Sequence, residues 1–188
     1  MSKRGKKMIK LIEFKTPRLG LRQWRPEDRE PFAALNADPK VMEYFPASLD
    51  RMASDAMADR CESLIAERGW GLWAVEKRNN GEFIGFVGLH VPIAELPFSP
   101  CVEIGWRLAS QYWGNGFATE AARASLRVSF ELLGISEIVS FTSIRNSRSR
   151  AVMERLGMRE TGETFDHPHI PIGSLLRQHC LYRLSRDR

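Results

Sequence analysis

The residues of this chain whose types and spacing suit chemistry lie mostly between positions 103 and 149. Gln111-Tyr112-Trp113-Gly114-Asn115-Gly116-Phe117-Ala118 joins a stretch of strand character to the most regular helical pattern in the sequence. A glycine-bearing turn that opens a helix offers unpaired backbone N–H groups and the positive end of the helix dipole, which together favour a phosphate. Gly114 and Gly116 let the backbone approach such a group closely. The segment is not a P-loop, because no Lys-Ser/Thr pair follows, nor a dinucleotide fingerprint, whose glycines are spaced differently. Asn146 and Ser149 stand three apart at the head of a short apolar helix, as an N-cap and a polar N3 residue do. His167, His169 and His179 do not meet a metal-site spacing, and no metal is expected.

Elements must hold these residues in place. Leu19 and Leu21 alternate with Arg22 and Trp24 as in a strand, and Pro26-Glu27-Asp28 opens a helix that Pro31 should make irregular. Residues 50 to 67 predict a second helix ending at Gly69. Trp70 to Lys77, Phe83 to Val91 and Cys101 to Ala109 predict three antiparallel strands, the first two joined at Asn79-Asn80-Gly81. In the third, Val102, Ile104, Trp106 and Leu108 share one face and Glu103, Gly105 and Arg107 the other. The Glu103 carboxylate is thereby directed away from the main apolar face. Phe117, Ala121, Ala124, Val128 and Leu132 recur at helical steps, with a stop at Gly134. Glu137 to Ser143 predicts a strand, Asn146 caps a helix containing Val152, Met153 and Leu156, and Gly157 closes it. Strands near 158–165 and 175–184 complete an α/β pattern.

Composition sets the outer bounds. The chain has 188 residues, 43% hydrophobic and 27% charged, as expected of one ordinary globular domain. Apolar runs such as Ile84 to Val91 are too short for a membrane span, and no signal peptide is evident, so a cytoplasmic protein without membrane association is expected. Cys61, Cys101 and Cys180 form neither a disulfide framework nor a zinc motif and are expected as buried thiols. The net charge is +5, and Lys3, Arg4, Lys6, Lys7 and Lys10 account for it. The expected organisation is a basic flexible arm over 1–13 and a single domain over 14–188. The neutral body gives no reason to expect a specific nucleic-acid partner.

Gln-x-x-Gly-x-Gly-x-Ala at a strand-to-helix junction resembles the acyl-coenzyme A pyrophosphate loop of the GNAT N-acetyltransferase superfamily. Val102-Glu103-Ile104-Gly105-Trp106 upstream, Thr119-Glu120-Ala121 downstream, Asn146-x-x-Ser149 and Leu156-Gly157-Met158 follow the same pattern, over about residues 14–184. Within the superfamily the sequence is most similar to the RimJ/RimL-like branch of ribosomal-protein alanine N-acetyltransferases. The resemblance implies an α/β (α+β) GNAT fold: a mixed, mainly antiparallel sheet of about seven strands with flanking helices, splayed at its centre to admit acetyl-CoA.

The resemblance also implies roles. Amides of Gly114, Asn115, Gly116, Phe117 and Ala118 would hold the pyrophosphate, with Gln111 contacting it or capping the loop. The main chain of Trp106, Arg107 and Leu108 would pair with the pantetheine arm like an added strand. Asn146 would lie near the pantetheine and Ser149 near the sulfur, where its hydroxyl can protonate the leaving thiolate. Glu103 would be the general base. An α-amine of pKa ~8 costs ~1.4 kcal/mol to deprotonate at neutral pH, against ~4.6 kcal/mol for a lysine amine near ~10.4. Relatives of another branch carry a tyrosine general acid four residues after the Ser149 position; here Met153 stands there. Tyr44, Phe45, Trp70, Trp73 and the histidines are candidates for the acceptor side. The implied activity is acetyl-CoA-dependent N-acetylation of a primary amine, on a protein N-terminus or a small molecule, in a ternary complex. A noncatalytic acyl-CoA-binding module is the alternative. A homodimer is compatible with either.

Overall fold

The computed structural model describes residues 9–186. Eight strands form one sheet: β1 (Phe14–Lys15), β2 (Leu19–Arg22), β3 (Leu72–Lys77), β4 (Phe83–His90), β5 (Glu103–Leu108), β6 (Glu137–Ser143), β7 (Arg159–Asp166) and β8 (Gln178–Ser185), in the order β1-β2-β3-β4-β5-β6-β8-β7. The helices are α1 (Arg29–Ala37), entered through a 3₁₀ turn at Pro26–Asp28, α2 (Arg51–Arg68), α3 (Phe117–Arg127), which runs on into a π turn at Val128–Leu132, and α4 (Ser147–Arg155). All strand pairings are antiparallel except that of β5 with β6.

That exception positions the site. β5 and β6 pair in register only at Glu103–Val139, supported by Val139 N–H to Val102 O (3.0 Å) and by Ser140 Oγ donating to Ile104 O (3.0 Å). Beyond Ile104 the two strands part, so Gly105 to Leu108 have β4 on one side and a cleft on the other. The sheet holds together across the splay because buried residues of both halves join one continuous core. Leu19, Leu21, Trp73, Val75, Ile84 and Val87 are buried in one half, and Ile138, Leu181 and Tyr182 in the other.

Several expectations need adjustment. The sheet has eight strands rather than about seven, because two-residue β1 pairs with β2. β2 stops at Arg22, and its four residues are all buried instead of alternating. Arg22 is buried in a bidentate pair with Asp28 (2.7 and 2.8 Å) and also meets Glu76 (2.5 Å). Pro31 falls in the first turn of α1, where its missing N–H has no intrahelical acceptor to lose, so the helix is regular. Ile12 N–H bonds Gly69 O (2.8 Å) and Ile12 O accepts from Trp73 Nε1 (2.7 Å), so the chain is already tied to the body before residue 14. Lys3, Arg4, Lys6 and Lys7 lie outside the described residues. Cys61 and Cys180 are buried, but Cys101 is only partly so. No helix among the described residues is long and apolar enough to cross a membrane.

Candidate active site

A cleft of about 1720 Å³ opens where β5 leaves β6. Its first wall is the turn into α3. Gly114 and Gly116 take φ of +78° and +75°, in the left-handed region where a side chain is strained. A Cβ on Gly114 would meet nothing within 4 Å, so this glycine is required by backbone shape and not by crowding. The first α3 hydrogen bond is Glu120 N–H to Gly116 O (3.0 Å), and no side chain caps the helix. The N–H groups of Gly116, Phe117, Ala118 and Thr119 therefore have no protein acceptor among the described residues, as at any uncapped helix start. Glu120 fixes this turn from behind: it accepts from Thr16 Oγ1 (2.6 Å), Arg18 N (3.0 Å) and Arg18 Nε (2.6 Å), while Arg18 Nη1 bonds Asn115 O (2.9 Å).

The floor is β5. In an antiparallel ladder successive residues direct their N–H and C=O alternately to either side. Ala109 N–H reaches back to Ile84 O, so the even-numbered residues face the cleft. Ile104 O is taken by Ser140 and Leu108 O by Trp113 Nε1 (2.8 Å). Trp106 is left with its N–H and C=O free of protein partners among the described residues on the open side.

Glu103 lies at the head of β5, directly opposite His90 of β4. The face it shares with Gly105 and Arg107 is not simply open to solvent: Asn36 of α1 and Met57 of α2 reach Arg107 there. Glu103 is 9% exposed and its Oε2 is 3.3 Å from His90 Nε2. The distance is that of an ion pair, but burial pushes both groups toward neutrality. It raises the Glu103 carboxyl well above the carboxylate range and lowers His90 to about 4, with Arg60 and Arg68 adding to the latter. Burial therefore works against the charge separation that an ion pair at this distance would require. A carboxyl so raised is a stronger base once ionised. His90 is a site residue that sequence reasoning did not single out.

The second wall is the start of α4. Asn146 Oδ1 accepts from Ser149 N–H (3.1 Å), the expected cap, and Asn146 Nδ2 donates to Thr142 Oγ1 (3.0 Å) and Ser149 Oγ (3.1 Å). Ser149 thus receives a hydrogen bond at its oxygen, and its hydroxyl donates to no acceptor among the described residues. Met153 also lines the cleft and has no proton to give. Arg148 pairs with Glu43 (2.5 Å) and lies over the rings of Trp113 and Tyr44, tying this wall to the α1–α2 connection.

Glu103, Trp106, Arg107, Leu108, Gly114, Gly116, Phe117, Ala118, Asn146 and Ser149 all border this one cleft. Gln111 does not: it borders a smaller hollow beside Asp38 and Glu82. The Asn115 side chain turns back onto Tyr112 O and Trp113 O (3.1 Å each). Tyr44, Phe45, His167, His169 and His179 line the far side, as considered for the acceptor. Trp70 and Trp73 do not; Trp73 is fully buried in the core. No group of three or more His, Cys, Asp or Glu among the described residues could hold a metal ion.

Comparison with known proteins agrees with this geometry. The acetyltransferase (GNAT) domain family matches residues 18–159. The FsC-acetyl coenzyme A-N(2)-transacetylase of Aspergillus fumigatus is 30% identical over 92% of this chain and 75% of its own length. Among solved structures, a GNAT-family acetyltransferase from Bacillus anthracis superposes with a TM-score of 0.77 at 24% identity, over 93% of this chain and 98% of that one. RimJ of Mycobacterium smegmatis, solved in complex with CoA-disulfide, shares the fold at TM-score 0.68 and 21% identity, over 89% and 81% of the two chains. With an open helix start, a splayed sheet and a match spanning most of its length, the chain belongs to the GNAT acetyltransferase family and is an N-acetyltransferase.

Proposed function

We propose that the cleft binds acetyl-CoA along β5 and α3 and passes its acetyl group directly to a primary amine, on a protein N-terminus or a small molecule, in a ternary complex. The observation that carries this reading is the parting of β5 from β6 beside an uncapped helix start. It leaves a strand edge for an extended amide-bearing arm and a set of N–H groups for a diphosphate within one cleft. Acetyl-CoA supplies the activated thioester. The amides of Gly114 to Ala118 hold the diphosphate, and the cleft-lining Arg18, Arg123 and Arg127 place positive charge around it. Asn115 contributes through its backbone. Gln111, which faces elsewhere, shapes the loop.

Trp106 pairs its main chain with the pantetheine amides, flanked by Arg107 and Leu108. A backbone N–H of β5 stabilises the negative charge that develops on the acyl oxygen. Glu103, coupled to His90, accepts the amine proton directly or through water. Asn146 orients Ser149, whose free proton goes to the leaving sulfur. Holding both reactants at once converts a bimolecular reaction into a local one.

A thiol-release assay with acetyl-CoA against a panel of peptides and small amines tests the reading, with the product identified by mass. Sequential initial-rate patterns and an unmodified enzyme mass are expected. CoA binding with no transfer to any amine would favour the noncatalytic alternative, and an acetylated enzyme would contradict direct transfer.

A further inference from the structure

One charged side chain in the cleft has no role in the chemistry just described. Arg107 projects from β5 on the same face as Glu103, about 13 Å further along the strand. Its Nη1 donates to Asn36 Oδ1 (2.7 Å) and approaches Met57 Sδ (3.7 Å). Nε is buried without a partner, and Nη2 makes no hydrogen bond within the described residues. The guanidinium lies 4.1 Å from the ring centroid of Phe45 and 5.5 Å from that of Phe86.

No carboxylate among the described residues pairs with it. The nearby Cys61 thiol, which burial pushes up to about 11, is uncharged at neutral pH. Burial pulls Arg107 down to about 10, so it stays a cation. The contrast with Arg22 is instructive, because that buried arginine has two carboxylates. Asn36 is fully buried, with its amide nitrogen on Ser54 Oγ (2.9 Å), so Arg107 is held from behind by a fixed support. Between Glu103 and Arg107 stands Gly105, where a Cβ would meet nothing within 4 Å. The face of β5 therefore presents a base at one end, open space in the middle and an unneutralised guanidinium at the other.

Arg107 as a whole is only partly buried, but its Nε is buried without a partner, and a cation so placed with no counter-ion is costly unless a ligand supplies the charge. We propose that Arg107 recognises an oxyanion, a carboxylate or phosphate-type group, carried by the acceptor several ångströms from its reacting amine. The acceptor would lie over Gly105, with its amine toward Glu103. The inference rests on the acetyltransferase reading for the identity of the amine, but anion capture by Arg107 can be measured without turnover.

The test uses the full chain, free and loaded with CoA, and follows arginine Nε–H groups by NMR. The Arg107 signal is identified by its absence in Arg107→Lys. The probes are ω-amino carboxylates of graded chain length, the matching aminoalkyl phosphonates and the corresponding ω-amino carboxamides. The Arg107 signal should shift saturably with acids and stay still with amides; the acid series that shifts it tells carboxylate from phosphate-type recognition. In thiol release, the best acid should exceed its amide in kcat/KM by about tenfold or more. Arg107→Gln should raise KM for the acid by a similar factor and bring the acid-to-amide ratio close to one, and Arg107→Lys should recover part of the loss.

No shift with any anion overturns the proposal, as does an acid-to-amide ratio unchanged in Arg107→Gln. An equal loss for acid and amide also overturns it, since that marks a prop for α1. Failure of CoA to bind would count against the acetyltransferase reading alone.

Discussion

Glu103 is asked to do two things that burial sets against each other: sit in a covered site that raises its carboxyl, and accept a proton there as a carboxylate. Because its carboxyl is raised, it must ionise before it can act, so kcat/KM should fall as pH is lowered through a midpoint above the ordinary value of 4.5. Glu103→Gln should remove that limb and lower kcat by about a hundredfold, while CoA affinity by calorimetry stays within about twofold. Equal loss of both would mark Glu103 as structural. The type and strand position of Glu103 are legible in the sequence, and so is the Asn146–Ser149 cap, because its partners are three residues apart. His90 is not. It meets Glu103 only through a strand register fixed across a loop containing Pro92, Pro97 and Pro100, whose path local spacing does not determine. Arg107 is similar: its neighbours Asn36, Phe45, Met57 and Phe86 all lie far from it in sequence.

At the scale of elements, the turn into α3 separates backbone shape from ligand contact. Gly114→Ala places a methyl group into open space at φ +78°, so folding stability should fall by about 1–2 kcal/mol from the left-handed conformation. CoA affinity should fall more than that cost implies if the amides beside it touch the diphosphate. Thermal melts and calorimetry on the same variant tell the two apart. Glu120→Ala should destabilise by about 1–3 kcal/mol, because it frees Thr16 and Arg18 and releases the turn they hold. Strong periodicity made α3 readable, and Asn79-Asn80-Gly81 made the β3–β4 hairpin readable. Two-residue β1 carries too few side chains for any period. The burial of Arg22 depends on Asp28 and Glu76, which no alternation rule supplies.

For the whole molecule, a mixed, mainly antiparallel and splayed sheet was accessible through family likeness, whereas its strand order and the one parallel junction were not legible in local pattern, since pairing between β5 and β6 rests on packing across the chain. The β7–β8 end of the cleft carries a pH dependence. His167 is lowered to about 4 by burial and by His179, His169 and Arg177. An unfolded chain binds that proton near 6.5, so stability from this site is present above about pH 6.5 and lost as pH falls toward 4. His167→Gln should flatten the fall in melting temperature over that interval. The central claim is that amides ahead of α3 grip the diphosphate of CoA. Calorimetric titration of the intact protein with CoA, and then with pantetheine lacking the diphosphate, tests it most directly. The account predicts saturable CoA binding at one site per chain and at least about tenfold weaker binding of pantetheine. No binding of CoA by folded protein, or equal affinity for the two, would contradict it.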